Sequence, residues 1–138
     1  MNTQVGFTGT QQGMTPPQHN AVASLLDVLC RDGGHVHHGD CVGADAQFHD
    51  LARDRGFRVE VHPPKNMSKR AMCDPDILWP AYEYLERNQH IVDCVGTLIA
   101  APKEHSEVMR SGTWATVRRA RKKGISVFIV YPDGRIRE

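Results

Sequence analysis

The sequence predicts a single α/β domain in which a mostly parallel sheet lies between two layers of helix. Three observations predict it. Short β-prone runs alternate with amphipathic helical stretches along most of the chain, and glycine or proline punctuates most junctions. A chain of 138 residues that is 40% hydrophobic is also long enough to bury one core of this kind. A second domain is not expected, so residues 1–138 are read as one unit.

Residues 4–8 form the first strand, which ends at Gly9. A polar stretch leads to a helix over residues 16–31, where Val22, Leu25, Leu26 and Leu29 make an apolar stripe and Asp32-Gly33-Gly34 stops it. Residues 35–38 are the second strand, and a glycine-rich turn leads into a second helix over residues 44–55. Residues 58–62 are the third strand, in which Val59 and Val61 alternate with polar residues before Pro63-Pro64. Residues 65–79 break the rhythm. A polar, turn-rich loop of this length is expected to act as a lid, carrying Lys65, Lys69, Arg70 and Trp79. Pro80 opens a third helix to residue 95, and residues 97–101 are a buried fourth strand. Ser111-Gly112-Thr113 opens a basic helix that Gly124 closes, and residues 126–131 are the fifth strand. Beyond the Asp133-Gly134 turn, residues 135–138 read as a short edge strand. The alternation implies right-handed crossovers and a Rossmann-like three-layer sandwich. Its sheet is expected to have five mostly parallel strands in the order 3-2-1-4-5. The ligand crevice of such a sheet lies at the C-terminal strand ends where the winding reverses, here between strands one and four.

Composition excludes several classes of function. Seventeen Lys and Arg against sixteen Asp and Glu leave the chain near neutrality, so a nucleic-acid partner is not expected. The longest apolar run, residues 127–130, is far too short to span a bilayer, and the first residues lack a signal-peptide layout, so a cytoplasmic location is expected. Cys30, Cys41, Cys73 and Cys94 form no CxxC pair and are expected to be reduced structural thiols. His35 and His37 share one face of their strand while His38 points the other way, so these three do not chelate one ion. No metal and no cofactor is expected. Arg118, Arg119, Arg121, Lys122 and Lys123 are expected to be a solvated helix face, and Trp114 to pack in the core.

Three loops meet at the expected crevice. After strand one, Thr8, Gly9 and Thr10 lead a segment whose glycines admit a ligand close to the backbone. It is neither a GxGxxG fingerprint nor a Walker loop, so hydrolysis of P-loop type is unsupported. After strand four, Ser111, Gly112 and Thr113 start a helix whose free amides favour phosphate. After strand two, His38, Gly39, Asp40, Gly43 and Asp45 place two carboxylates on one glycine-rich turn. Either one would bind ribose hydroxyls or act as a base, with Asp40 the stronger candidate.

These segments, Gly6-Phe7-Thr8-Gly9-Thr10, His38-Gly39-Asp40-Cys41-Val42-Gly43-Ala44-Asp45 and Ser111-Gly112-Thr113, together with Glu86-Arg87-Asn88, resemble the SLOG superfamily of Rossmann-like nucleotide-binding proteins. That superfamily includes LOG-type phosphoribohydrolases, DprA, and small YspA/YpsA-related domains found near phage and conflict systems. The likeness is greatest to the last group. It implies ligand contact by Arg87 and, as in many such folds, homodimerisation. The LOG-type signature Pro-Gly-Gly-x-Gly-Thr-x-x-Glu is matched only at Gly112-Thr113. Its glutamate position falls on Thr116, which cannot stabilise positive charge on a ribosyl centre.

The leading expectation is therefore a module that binds a nucleotide or nucleotide-derived signal at the C-terminal strand edge, as sensor or sequestering protein with weak hydrolysis at most. The alternatives are a nucleoside-phosphate hydrolase or phosphoribohydrolase using Asp40 or Asp45, and DprA-like binding of single-stranded nucleic acid through the basic helix.

Overall fold

A computed structural model describes residues 3–138. Seven strands form one sheet: β1 (Thr3–Gly9), β2 (Gly34–His38), β3 (Arg58–Val61), β4 (Ile77–Leu78), β5 (Thr97–Ala101), β6 (Ser126–Val130) and β7 (Ile136–Arg137). Four helices join them: α1 (Pro16–Leu29), α2 (Ala44–Asp54), α3 (Tyr84–Cys94) and α4 (Gly112–Lys123). The sheet order is β4-β3-β2-β1-β5-β6-β7, parallel throughout except for the antiparallel β6–β7 pair.

The five central strands have the expected order, but the expectation of a five-stranded sheet is corrected to seven. The added strand β7 is the edge piece foreseen in the tail. Strand β4 lies inside the segment read as a lid. It forms because the Asp76 carboxylate accepts the Val59 N–H at 2.8 Å, while the Asp76 and Trp79 amides donate to the Val59 and Val61 carbonyls at 2.9 Å each. Helix α3 also starts four residues later than Pro80 suggests. Tyr82 is drawn instead into an extended pairing beside Pro64, with the Lys65 N–H donating to the Tyr82 carbonyl at 2.9 Å.

The apolar stripes of α1 and α2 cover one face of the sheet. Leu26 and Phe48 pack there on Val5, Phe7, Val36 and Val59, and the Phe7 and Phe48 rings stack 4.3 Å apart. Helices α3 and α4 cover the β1, β5 and β6 part of the other face, where Trp114, Val117, Leu98 and Ile129 form a second core. Toward β2 and β3 this second face changes character and carries His35, His37, Glu60 and His62. Trp114 is buried as expected, and its indole N–H donates to Glu104 at 3.0 Å.

The C-terminal end of β1 is held against the start of α2 by two close approaches. A Cβ on Gly9 would lie 2.6 Å from the Ala44 Cβ, so the start of α2 sits hard against the end of β1. Gly43 has a φ of +87°, and a Cβ there would run into the Gln11 carbonyl. The Gly43→Ala substitution is therefore expected to destabilise the domain by about 2 to 4 kcal/mol, from backbone strain plus displacement of residues 10–12. Equilibrium denaturation reads this directly, and a variant as stable as the parent contradicts the packing described.

Candidate functional site

The C-terminal ends of β1, β2 and β5 open into a cavity of about 860 Å³. It lies at the reversal point inferred from strand order. Thr8, Gly9 and Thr10 line one wall, Ser111, Gly112 and Thr113 the facing wall, and Gly39, Asp45 and Arg87 lie between them.

Each wall is fixed by backbone bonding. The Thr10 N–H donates to the Ala101 carbonyl at 3.0 Å, and the Thr10 carbonyl accepts from Ala44 at 2.9 Å and Gly13 at 3.2 Å. This ties the first loop to both β5 and α2. On the opposite wall the Ser111 hydroxyl caps α4 by accepting the Trp114 N–H at 3.3 Å. Thr116, at the position where a LOG-type enzyme carries glutamate, is fully buried and donates to the Gly112 carbonyl at 2.8 Å. It braces the helix start and offers nothing to the cavity.

Arg87 is the unusual residue. It is only 5% exposed, and its Nη1 donates to the carbonyls of Gly39 and His62, the latter at 3.0 Å. Its Nε donates to Asn88 Oδ1 at 2.7 Å, and its Nη2 reaches Cys41 Sγ at 3.6 Å. Among the described residues no carboxylate oxygen lies within 4.0 Å of it, so a buried cation is held by neutral acceptors alone. Gly39 is required beside it, because a Cβ there would collide with the guanidinium. Lys69, Lys103 and Arg110 add positive charge to the lining, against Asp45 and Glu104. With Arg87, four cations face these two carboxylates, which leaves the cavity electropositive.

The two carboxylates of the second loop have separate positions. Asp40 is fully buried and adopts a φ of 57°, a left-handed conformation that aspartate tolerates. Its Oδ2 accepts from Arg70 Nε at 2.8 Å and its Oδ1 from the Cys73 N–H at 2.9 Å. Both oxygens are thus committed to holding residues 70–73. Asp45 lines the cavity. One oxygen accepts the Cys41 N–H at 3.1 Å, while Oδ1 is buried without a partner. Burial pushes its pKa up to about 6, opposed by the nearby Arg87 charge and the Cys41 amide.

The expected lid residues do not act together. Lys69 lines the cavity, carried there by a strap in which the Val42 N–H donates to the Lys69 carbonyl and the Ala71 N–H to the Asp40 carbonyl. Arg70 turns to Asp40. Lys65 lies outside the lining, and Trp79 sits on the far part of the sheet, stacked on His62 and donating to Glu60 at 2.7 Å. His38 and Gly43 also lie behind the lining; His38 bonds His49 at 2.9 Å instead. Sequence reasoning missed Tyr84, Asn66 and Arg110. Tyr84 precedes Arg87 by one helical turn and packs under its guanidinium, a spacing that points to it once Arg87 is singled out.

No protein-family profile matches this sequence, and no curated protein matches it. Solved structures do. The molybdenum cofactor binding protein of Rippkaea orientalis is similar over 95% of this chain and 77% of its own, at 19% identity and a TM-score of 0.74. The Moco carrier protein of Chlamydomonas reinhardtii is similar over 94% and 76%, at 18% identity and a TM-score of 0.71. DNA processing protein A of Streptococcus pneumoniae is similar over 93% of this chain and half of its own, at 18% identity and a TM-score of 0.67. The chain shares the Rossmann-like fold of these proteins.

Proposed function

We propose that the chain binds a nucleotide or nucleotide-derived small molecule in this cavity, with an anionic phosphate group at Arg87, as a sensor or sequestering module. The observation that carries this reading is a buried guanidinium lining a cavity without a carboxylate partner. Asp45 lies close enough to feel the guanidinium charge but makes no ion pair with it, and an incoming phosphate would supply a directly bonded counter-charge. In this reading the amides at Ser111, Gly112 and Thr113 and the hydroxyls of Thr8 and Thr10 hold the same phosphate or its neighbour. Gly9 and Gly39 keep the approach open, and Lys69 closes over the ligand. A volume of about 860 Å³ accommodates a molecule of nucleotide size. Two similar structures are described as binding or carrying the molybdenum cofactor, so that compound belongs among those tested.

A hydrolytic reading has one observation in its favour, the partnerless Asp45 Oδ1 on the cavity wall. With its pKa near 6, Asp45 would be the carboxylate to polarise a water or stabilise a ribosyl cation. Asp40, with both oxygens engaged, would not. Binding of nucleic acid by the basic helix has less support. Arg118, Arg121 and Lys123 are paired with Glu107 and Asp93, and Arg119 donates to Gln89.

The deciding experiment presents the protein with nucleoside mono-, di- and triphosphates, cyclic nucleotides and molybdenum cofactor, and analyses retained and free fractions by mass spectrometry. Intact retention of a phosphorylated compound is expected. Release of free base makes the chain a hydrolase, and retention of nothing overturns the reading. Arg87→Lys, which keeps charge but loses the planar fork, is expected to weaken retention about 10- to 100-fold by calorimetry. An unchanged affinity removes Arg87 from the site.

Asp45 gives a second test. Its folded-state pKa of about 6 exceeds the ordinary 3.8, so its contribution to stability is full below pH 3.8 and is lost as pH rises through about 6. At pH 7 the buried ionised group costs up to about 3 kcal/mol. The urea midpoint of Asp45→Asn is therefore expected to exceed that of the parent at pH 7, with the gap closing by pH 4. Equal midpoints at pH 7 contradict the assigned burial.

A further inference from the structure

The polar part of the second sheet face gathers residues from three elements. His37 lies on β2, His62 follows β3, and Cys94 ends α3. A ring nitrogen from each histidine and the Cys94 sulfur all lie within 4.8 Å of one another. Both histidines are almost wholly buried, and His37 Nδ1 is 2.9 Å from His62 Nε2.

The hydrogen bonds set the state of His37. Its Nε2 is 2.7 Å from Gln4 Oε1, which can only accept, so Nε2 carries the proton. Nδ1 therefore presents its lone pair toward His62 and Cys94. Glu60 Oε2 stands 3.5 Å from the same Nε2, adding a carboxylate behind the ring. An imidazole with its outer N–H held by an amide oxygen is the kind of arrangement that orients a metal-ligating histidine.

Ligand-to-ligand distances around a tetrahedral zinc ion are about 3.3 to 3.6 Å. The His37–His62 nitrogens, 2.9 Å apart, are closer than that and the Cys94 sulfur lies within 4.8 Å of both, so a displacement that parts the two rings and a shift of the His62 proton to Nδ1 would admit an ion.

A second group, His38, His49 and Cys73, is equally compact but is wired differently. His38 Nδ1 accepts the Asp40 N–H at 3.0 Å, which leaves the proton on Nε2, pointed at His49 Nδ1 2.9 Å away. Ligation there would strip His38 Nε2 of its proton and orphan a buried amide. In the first group His62 must also move its proton, but no backbone amide bonded to a ligating nitrogen is orphaned.

We infer that His37, His62 and Cys94 form a binding site for a divalent zinc-type cation, with the fourth position left to water or an added ligand. His38 is excluded because it faces the other side of the sheet. His62 and Cys94, distant in sequence, complete the set. The site is separate from the cavity but touches its machinery, because the His62 carbonyl accepts from Arg87.

The test strips the full chain of metal with a chelator, then titrates it with Zn(II) and, in parallel, with Co(II) as a spectroscopic probe. One equivalent of Zn(II) retained, and a Co(II) complex with tetrahedral visible bands and a thiolate charge-transfer band, are expected. Cys94→Ser abolishes the charge-transfer band and Cys73→Ser retains it. Gln4→Ala, which removes only the partner of His37, weakens Zn(II) about 10- to 100-fold and decides the matter even where Cys94→Ser does not fold. Sub-stoichiometric retention by the parent, a thiolate band that follows Cys73, or unchanged affinity in Gln4→Ala overturns the site.

Discussion

The C-terminal end of the sheet, where the cavity opens, depends on one buried cation. Arg87 projects from α3 beneath the ends of β2 and β3 and bonds to a carbonyl beyond each, those of Gly39 and His62. It thereby joins three elements that share no sequence proximity. Its geometry also explains why the turn after β2 begins with glycine, since any side chain there would occupy the guanidinium's place. A guanidinium does not lose its charge on burial, so the fold keeps a positive centre at the cavity floor at every physiological pH. The cost of burying it is offset by these neutral acceptors and by the Asp45 charge nearby, and in the proposed reading an anion bound in the cavity would offset more of it.

The second loop divides its work between two aspartates. Asp40 organises the strap over residues 69–73, which brings Lys69 to the cavity mouth. Asp45 remains on the wall with a spare oxygen and a raised pKa. One carboxylate shapes the site and the other faces it. Thr116, buried at the position of a LOG-type glutamate, belongs with Asp40 on the structural side.

Much of the fold was legible because its signals are periodic. The apolar stripes of α1 and the buried runs at β1, β5 and β6 reflect burial on a sheet, and strand order follows from alternation and crossover handedness. Strand β4 was not legible, since two residues carry no period and their pairing is directed by Asp76, the residue before them, which reaches across to Val59 on β3. The late start of α3 was hidden because Pro80 resembles a helix opening, while Tyr82 is captured by the chain after β3. The placing of Thr8–Thr10 and Ser111–Thr113 around the cavity was legible because strand order alone locates the crevice. The separation of Asp40 from Asp45 was not, because it depends on Arg70 and Cys73, residues with no local relation to that turn. Trp79 likewise read as a cavity lid only until its partners, Glu60 and His62, were known.

The central claim is that Arg87 is a counter-ion site awaiting an anion. A crystal structure of the protein with adenosine monophosphate, or with whichever phosphorylated compound is retained, tests it most directly. The account predicts phosphate oxygens within hydrogen-bonding distance of the Arg87 guanidinium, between the Thr8–Thr10 and Ser111–Thr113 walls. A ligand whose phosphate lies elsewhere, with Arg87 still bonded only to neutral acceptors, would contradict it.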